Sequence, residues 1–138
     1  MSEGVRLVLV DTGPLYAAVD TSDAYHTRAL ADTEYLAARN IGLALTIPVA
    51  VEAHGLLRRK LGLFTANRWL AETTPLVNLF EVSDRHFFAA VQLITRFSDQ
   101  SLSLVDGILA IVSEEARLPV WSYDHHMDVL GVRRWVAE

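Results

Sequence analysis

Residues 5–14 read VRLVLVDTGP, a short apolar run that ends in an acid and a turn sequence. A continuous apolar run of this length, rich in β-branched residues, is typical of a strand that is buried on both faces. Strands of this kind belong to parallel sheets, so we predict such a strand from Val5 to Val10. The Asp-Thr-Gly-Pro sequence then predicts a loop, which leaves the carboxylate of Asp11 at the end of the strand.

Strand-like and helix-like segments alternate along the rest of the chain. The further strands that we predict are Leu43 to Ile47, Val77 to Val82, Pro119 to Tyr123 and Val132 to Val136. The helices that we predict run from His26 to Arg39, from Pro48 to a stop at Gly62, from a cap at Thr65 to Thr73, from His86 to Phe97 and from Asp106 to Ala116. Because right-handed crossovers join parallel neighbours, this order predicts an α/β fold of three layers, α/β/α, with a central parallel sheet of about five strands.

Helix-end signals support these boundaries. Pro48 has no N–H, and the first position of a helix would leave that group unpaired in any case. Gly62 follows the basic residues Arg58, Arg59 and Lys60, as expected at a helix C-terminus. The N-caps that we predict for the later helices are Thr65, Ser83 or Asp84, and Ser103.

The composition describes one compact globular domain that spans residues 1–138. Hydrophobic residues make up 51% of the chain, and Cys is absent, which excludes disulfides, zinc–thiolate sites and thiol catalysis. The formal charge is −5, so a polybasic surface for nucleic acid is excluded and any such chemistry needs a local site. The N-terminal apolar run is far shorter than the ~20 residues of a membrane span and lacks a signal-peptide core, so we expect a soluble cytoplasmic protein.

Four acidic residues stand where strands end or where the following helices begin. They are Asp11, Glu52, Asp106 and Asp124. Ligands of open parallel sheets bind outside the carboxyl ends of the strands, so we expect these carboxylates to meet there. Like charges at close range resist simultaneous ionisation, and a divalent cation relieves that conflict. All-oxygen donors favour Mg²⁺ or Mn²⁺ over Zn²⁺, and the implied reaction is metal-assisted hydrolysis of a phosphodiester.

Four motifs in chain order resemble those of PIN-domain ribonucleases, and more narrowly those of VapC-type toxins of toxin–antitoxin pairs. They are DTGPLYA beginning at Asp11, PVAVEAHGLLRR around Glu52, SLSLVDGILA around Asp106 and WSYDHHM around Asp124. The resemblance covers essentially the whole chain and implies a PIN-like fold. It also implies that the four acids form the metal site of a Mg²⁺-dependent endoribonuclease, in which Mn²⁺ can substitute. The hydroxyls of Thr12 and Ser103 fall on the positions beside that site.

The sequence departs from the family pattern in two places. An aromatic residue is common a few positions after the last acid, where this chain has His125, His126, Met127 and Asp128. Asp128 is therefore an alternative to Asp124 as the fourth acid, and both Asp99 and Asp128 are candidate supporting residues. The adjacent histidines diverge and lack the spacing of zinc ligands, so we interpret them as loop residues. Gly107 replaces a small alanine and weakens the helix start by up to ~1 kcal/mol.

The resemblance also implies partners. An RNA is the expected substrate, a small VapB-like antitoxin is expected to neutralise the protein, and a homodimer is the expected assembly. A guanidinium binds a carboxylate bidentately, so an antitoxin arginine fits the acidic site in competition with the metal. We predict that the helix from His86 to Phe97 offers apolar surface to the antitoxin or to a second copy of the chain.

Other interpretations of the same residues stay open. Each acid has a structural explanation, as a turn former at Asp11, a solvent-facing helix residue at Glu52, a partner of the helix dipole at Asp106 and a cap at Asp124. The order of elements also suits a phosphoacceptor receiver domain, but the only lysine, Lys60, lies at the far end of a helix. The remaining alternatives are a non-catalytic interaction module and a PIN-type nuclease of RNA maturation.

Overall fold

The computed structural model describes residues 6–138 and confirms the alternation of strands with helices. The strands are β1 (Leu7–Val10), β2 (Gly42–Thr46), β3 (Asn78–Phe80) and β4 (Val120–Trp121), and Val5, which we predicted in the first strand, lies outside the described residues. The helices are α1 (Thr12–Val19), α2 (His26–Ala38), α3 (Ile47–Leu61), α4 (Leu63–Thr73), α5 (Asp84–Arg96) and α6 (Leu104–Ala116). Short 3₁₀ helices follow α4 at Thr74–Leu76 and β4 at His125–Leu130. No helix within residues 6–138 is both long enough and apolar enough to cross a membrane.

The strands form one parallel sheet in the order β3-β2-β1-β4. In the centre, Leu9 of β1 pairs with Ala44 of β2 on one side and with Val120 of β4 on the other. The chain proceeds outward from β1 to β2 and β3, and then returns to the opposite side of β1 as β4. Connections diverge at such a reversal, which leaves a crevice at the carboxyl ends of β1 and β4.

The described residues contain four strands, so the prediction of about five was wrong. The segment predicted as the fifth strand, Val132 to Val136, meets β4 at a single parallel bridge between Val120 and Arg134. β4 is only two residues long, and the carbonyl of its second residue, Trp121, accepts a hydrogen bond from the Asp11 N–H at 2.9 Å on the β1 side. Trp121 therefore directs its carbonyl toward β1, and Val120 is the residue of β4 whose backbone pairs with the C-terminal segment.

A helix, α1, begins where we predicted a loop after β1. Asp11 has an extended backbone and caps this helix, since its Oδ1 accepts a hydrogen bond from the Thr12 N–H at 2.8 Å. Pro14 lies in the first turn, where the absence of its N–H leaves no intrahelical bond unmade. The residues Asp, Thr, Gly and Pro are common both in turns and at helix starts, and so residue type alone favoured the wrong alternative.

The later helix ends follow most of the predicted signals. Pro48 is the second residue of α3, behind Thr46, whose side chain caps the helix. Gly62 ends α3 with a φ of +97°, a conformation that favours glycine. This corner leads directly into α4, so Thr65 lies inside α4 and the prediction that it is a cap was wrong. The capping residues that are confirmed are Ser83 for α5 and Ser103 for α6.

Helices cover both faces of the sheet. Val8, Leu9 and Val10 of β1 are all fully buried. Because successive residues of a strand point to opposite faces, neither face of β1 is open to solvent. This burial confirms the three-layer α/β architecture. Helices α5 and α6 approach each other closely at Gly107, where an added Cβ would lie 2.7 Å from Ile94 Cγ2.

Candidate functional site

The four acids predicted from the sequence line one cavity. It has a volume of about 520 Å³ and lies at the carboxyl ends of β1 and β4. The predicted site residues that line it are Asp11, Thr12, Glu52, Ser103, Asp106 and Asp124. Segments that are far apart in the sequence contribute these side chains, because the crevice at the strand reversal brings together the end of β1, the helices α3 and α6 and the residues after β4. We call this cavity the acidic cavity.

Asp11 is the most buried of the four acids, with only 6% of its surface exposed. Its Oδ1 accepts from the Thr12 N–H at 2.8 Å, and its Oδ2 accepts from the Ser122 hydroxyl at 2.8 Å. Burial raises the pKa of Asp11 from 3.8 to about 6, although both hydrogen bonds oppose the rise. The negative charges of Asp106 and Glu52 add to the increase. The carboxylate is thus fixed in orientation and disfavoured as an anion until a cation balances it.

Glu52 approaches Asp11 from α3 and is held by α1. The hydroxyl of Thr12 donates to Glu52 Oε1 at 2.5 Å. This bond joins the second helical turn of α3 to the first turn of α1, and so it fixes one oxygen of an otherwise exposed side chain. Thr12 therefore has two roles, since its backbone orients Asp11 and its side chain orients Glu52.

Asp106 lies at the start of α6 in the predicted capping arrangement with Ser103. The Asp106 N–H donates to Ser103 Oγ at 3.1 Å, and the Ser103 N–H donates to Asp106 Oδ2 at 3.0 Å. Asp106 is therefore part of the cap of α6, and the same carboxylate also lines the acidic cavity. The reciprocal bonds hold the side chain in one position beside Asp11.

Asp124 lines the cavity on the side of β4. It also caps the 3₁₀ helix that follows, because its Oδ1 accepts from the His126 N–H at 2.9 Å and lies 2.8 Å from His126 Nδ1. His125 and His126 are exposed, as we predicted, but they begin this 3₁₀ helix and do not lie in a loop. One oxygen of Asp124 is thus engaged by His126, and its other oxygen accepts no hydrogen bond from a side chain or backbone group of the described residues.

The two candidate supporting acids do not line the cavity. Asp128 forms an ion pair with Arg134, whose Nε lies 3.0 Å from Asp128 Oδ1. Asp99 is exposed in the segment between α5 and α6. Of the two alternatives for the fourth acid, the structure brings Asp124 to the site.

Ser122 is a site residue that sequence reasoning missed. It is 3% exposed, donates to Asp11 Oδ2 and accepts from the Asp124 N–H at 3.0 Å, so it links two of the acids. Val10 pairs with Trp121 in the sheet, and the residues that follow them, Asp11 and Ser122, are therefore neighbours at the same edge. A polar residue directly after a buried strand is the available signal, but the register that selects it appears only in the folded sheet.

Two tyrosines, also missed, form one wall of the acidic cavity. The rings of Tyr25 and Tyr123 stack with centroids 4.7 Å apart and planes inclined by 17°. The Tyr123 hydroxyl donates to Asp32 Oδ2 at 2.7 Å, and burial together with this bond raises the pKa of Tyr123. The guanidinium of Arg28 lies 4.7 Å from the centre of the Tyr123 ring.

The donors that surround the acidic cavity suit a hard divalent cation. Within residues 6–138, no group of three or more His, Asp or Glu side chains is arranged to enclose a metal ion. The acids therefore border an open space and do not form a closed cage. Mg²⁺ is usually bound through one or two carboxylates while it keeps several waters, so an open set of oxygen donors fits it and Mn²⁺ better than it fits Zn²⁺.

The sheet order and helical layers define a PIN-like α/β fold, which comparison with solved structures confirms. The chain is similar to VapC20 from Mycobacterium tuberculosis, a sarcin–ricin loop cleaving toxin, with 20% identity and a TM-score of 0.81 over 93% of this chain and 98% of that chain. It is similar to VapBC2 from Rickettsia felis, solved with a DNA fragment from its promoter, with 12% identity and a TM-score of 0.71 over 93% and 96%. FitAcB from Neisseria gonorrhoeae gives 15% identity and a TM-score of 0.71 over 94% and 97%. Neither a family model nor a curated protein matches the sequence.

Proposed function

We propose that this protein is a metal-dependent endoribonuclease toxin that hydrolyses phosphodiester bonds of RNA at the acidic cavity. The observation that carries the proposal is the convergence of Asp11, Glu52, Asp106 and Asp124 on one cavity at the strand reversal. Carboxylates that share one cavity without a basic residue in its lining repel each other, and such an arrangement is typical of a site that binds a cation. The sequence motifs and the fold shared with VapC20 support the same class of activity.

The residues that would hold a Mg²⁺ ion, directly or through its waters, are Asp11, Glu52, Asp106 and Asp124. When bound, the cation supplies the balancing charge, polarises the phosphate and lowers the pKa of an attacking water. The protein's own contribution is orientation. Thr12 and Ser122 fix the carboxylate of Asp11, and the capping bonds of α6 fix that of Asp106.

Cleavage of RNA with and without metal tests the site. Purified protein is incubated with a sarcin–ricin loop RNA and with an unrelated single-stranded RNA, in Mg²⁺, in Mn²⁺ or in EDTA. We expect cleavage only with metal, and we expect the variants Asp11→Asn, Glu52→Gln and Asp106→Asn to lose at least about 10–100-fold in activity, the effect of removing even an indirect partner of a metal. Asp99→Asn is the matched control, since it removes an exposed acid outside the cavity. Cleavage that survives EDTA, or near-normal activity in all three variants, would refute the metal-nuclease assignment.

We further propose that a small VapB-like antitoxin blocks the acidic cavity with an arginine and that the toxin is a homodimer. The cavity has the charge that a guanidinium requires, because carboxylates dominate its polar lining and one of them, Asp11, is deeply buried. Expression of the protein alone should arrest growth, and co-expression with a small VapB-like antitoxin, sought in an adjacent reading frame, should restore it. Native mass spectrometry should then detect the complex and its stoichiometry. Unimpaired growth with no complex would refute the toxin assignment while the nuclease assignment stands or falls on the cleavage assay.

A further inference from the structure

The acidic cavity has no basic residue in its lining within the described part of the chain. An RNA backbone that enters it meets carboxylates, and the whole protein carries a net charge of −5. Apart from a bound cation, no side chain that lines the cavity within the described residues neutralises a phosphate. Base stacking is a different source of affinity, because every base has a π-face and the interaction does not depend on phosphate charge. The cavity wall offers such a surface at Tyr25.

Tyr25 is 40% exposed and stacks on Tyr123, with both rings in the wall of the acidic cavity. Its backbone N–H donates to Asp23 Oδ2 at 2.9 Å, which fixes the loop that presents it just before α2. Because Tyr123 covers one face of the ring, a base would stack on the opposite face. The ring thus borders the space in which the scissile phosphate would bind.

Tyr123, the ring beneath, is fixed from several directions. Its hydroxyl donates to the buried carboxylate of Asp32 at 2.7 Å and accepts from Trp121 Nε1 at 3.2 Å. Arg28 lies over the same ring and 3.9 Å from Asp32. A polar network of this kind holds the aromatic pair in one orientation, so little conformational entropy is lost when a base stacks on it.

We propose that Tyr25, backed by Tyr123, is the stacking platform for the nucleobase next to the scissile phosphate. This inference rests on the proposed ribonuclease function and adds a residue that positions an unpaired nucleotide of the RNA. Bases inside a duplex are stacked on their neighbours and present no free face, whereas bases of loops and single strands do. Tyr25 is a positioning residue, since it contacts a neighbouring base and not the reacting atoms.

The test compares four variants on a single-stranded RNA of twelve nucleotides that carries 2-aminopurine at one position in turn. Tyr25→Ala should raise KM by about 5- to 150-fold, the contribution of one stacked base, with kcat nearly unchanged. Tyr25→Leu keeps an apolar side chain on Tyr123 but has no aromatic face, so it should behave like Tyr25→Ala, whereas Tyr25→Trp should retain a low KM. Phe64→Ala is the matched control, because Phe64 is 79% exposed on α4 and does not line the cavity.

Quenching of 2-aminopurine fluorescence reports stacking directly. In wild-type protein one position next to the cleavage site should be quenched, and this quenching should disappear in Tyr25→Ala and return in Tyr25→Trp, while thermal melts confirm that each variant is folded. If wild-type protein cleaves the RNA and Tyr25→Ala cleaves with the same KM and the same quenching, the platform is refuted and the nuclease assignment remains. If wild-type protein neither binds nor cleaves RNA, both proposals are overturned.

Discussion

Replacing the buried acid Asp11 by asparagine should make the metal-free protein more stable at neutral pH. In the folded chain the pKa of Asp11 is about 6, against an ordinary value of 3.8, because burial disfavours the anion. A pKa difference of one corresponds to about 1.4 kcal/mol, so ionised Asp11 destabilises the folded state by ~3 kcal/mol at pH 8. The asparagine amide disturbs the hydrogen bond from Ser122, which removes about 1 kcal/mol of the benefit. The expected net gain is therefore ~2 kcal/mol.

The gain depends on pH in a defined direction. A carboxyl group with a raised folded-state pKa contributes stability that is fully present below its unfolded value, 3.8, and is lost as the pH rises through about 6. The contribution of Asp11 to the stability of wild-type protein is thus lost between pH 4 and pH 7, and this loss is absent from Asp11→Asn. At pH 4 the disturbed Ser122 bond prevails, so the variant should be no more stable than wild type. At pH 8 its Tm should be higher by roughly 6 to 8 °C, at about 3 to 4 °C per kcal/mol for a chain of this size.

Thermal melts in EDTA from pH 4 to pH 8 measure this difference. Asp99→Asn is the control, because Asp99 is exposed and lies outside the acidic cavity, and its Tm should follow that of wild type. Addition of Mg²⁺ should raise the Tm of wild-type protein and leave Asp11→Asn nearly unchanged, since ligand binding stabilises only a state that binds it. The prediction is refuted if Asp11→Asn melts below wild type at pH 8, or if the Tm difference between variant and wild type grows as the pH falls. Either result would show that burial of the ionised Asp11 does not destabilise the folded protein.

Three further outcomes are expected. Gly107→Ala should lower the stability by about 1 to 2 kcal/mol, because the added methyl group would lie 2.7 Å from Ile94 Cγ2 and overpacking outweighs the better helix propensity; a thermal melt at or above that of wild type would contradict this. Asp124→Asn should reduce RNA cleavage more than Asp128→Asn, since only the first residue lines the acidic cavity, and the reverse order of kcat/KM would reassign the fourth acid. Ser122→Ala should reduce cleavage about 10–100-fold without unfolding the protein, because it removes the hydrogen bond that holds Asp11 Oδ2. Unchanged cleavage rates would limit Ser122 to a structural role.

The positions of the acids followed from the sequence because each is tied to a strand end or a helix start that local patterns reveal. Asp11 follows a buried apolar run, and Asp106 stands three residues after a serine cap, so both could be predicted without any tertiary information. The helix that follows β1 could not be predicted, because a helix cap followed by Pro14 has the same residue types as a turn. The fifth strand failed for a different reason, since β4 proved too short to pair with more than one residue of the C-terminal segment.

The residues that sequence reasoning missed are those whose roles depend on register and stacking. Ser122 matters because β4 pairs with β1 so that Trp121 faces Val10. Tyr25 matters because a ring from before α2 lies flat on Tyr123, which is nearly a hundred residues away in the chain. Neither relation leaves a periodic pattern in the sequence, because both join segments that the chain order keeps apart.

The bond between Ser122 and Asp11 joins residues 111 positions apart in the chain. The site can therefore form only after both of these distant segments have been synthesised. A chain is synthesised from its N-terminus, and three of the four acids leave the ribosome before β4 does. Until β4 is added beside β1, that edge of the sheet is unpaired and Asp11 has neither its hydroxyl partner nor the wall that Tyr123 provides. The acidic cavity is therefore assembled only after β4 has paired with β1, so the activity proposed here requires the two strands most distant in the chain to be in place.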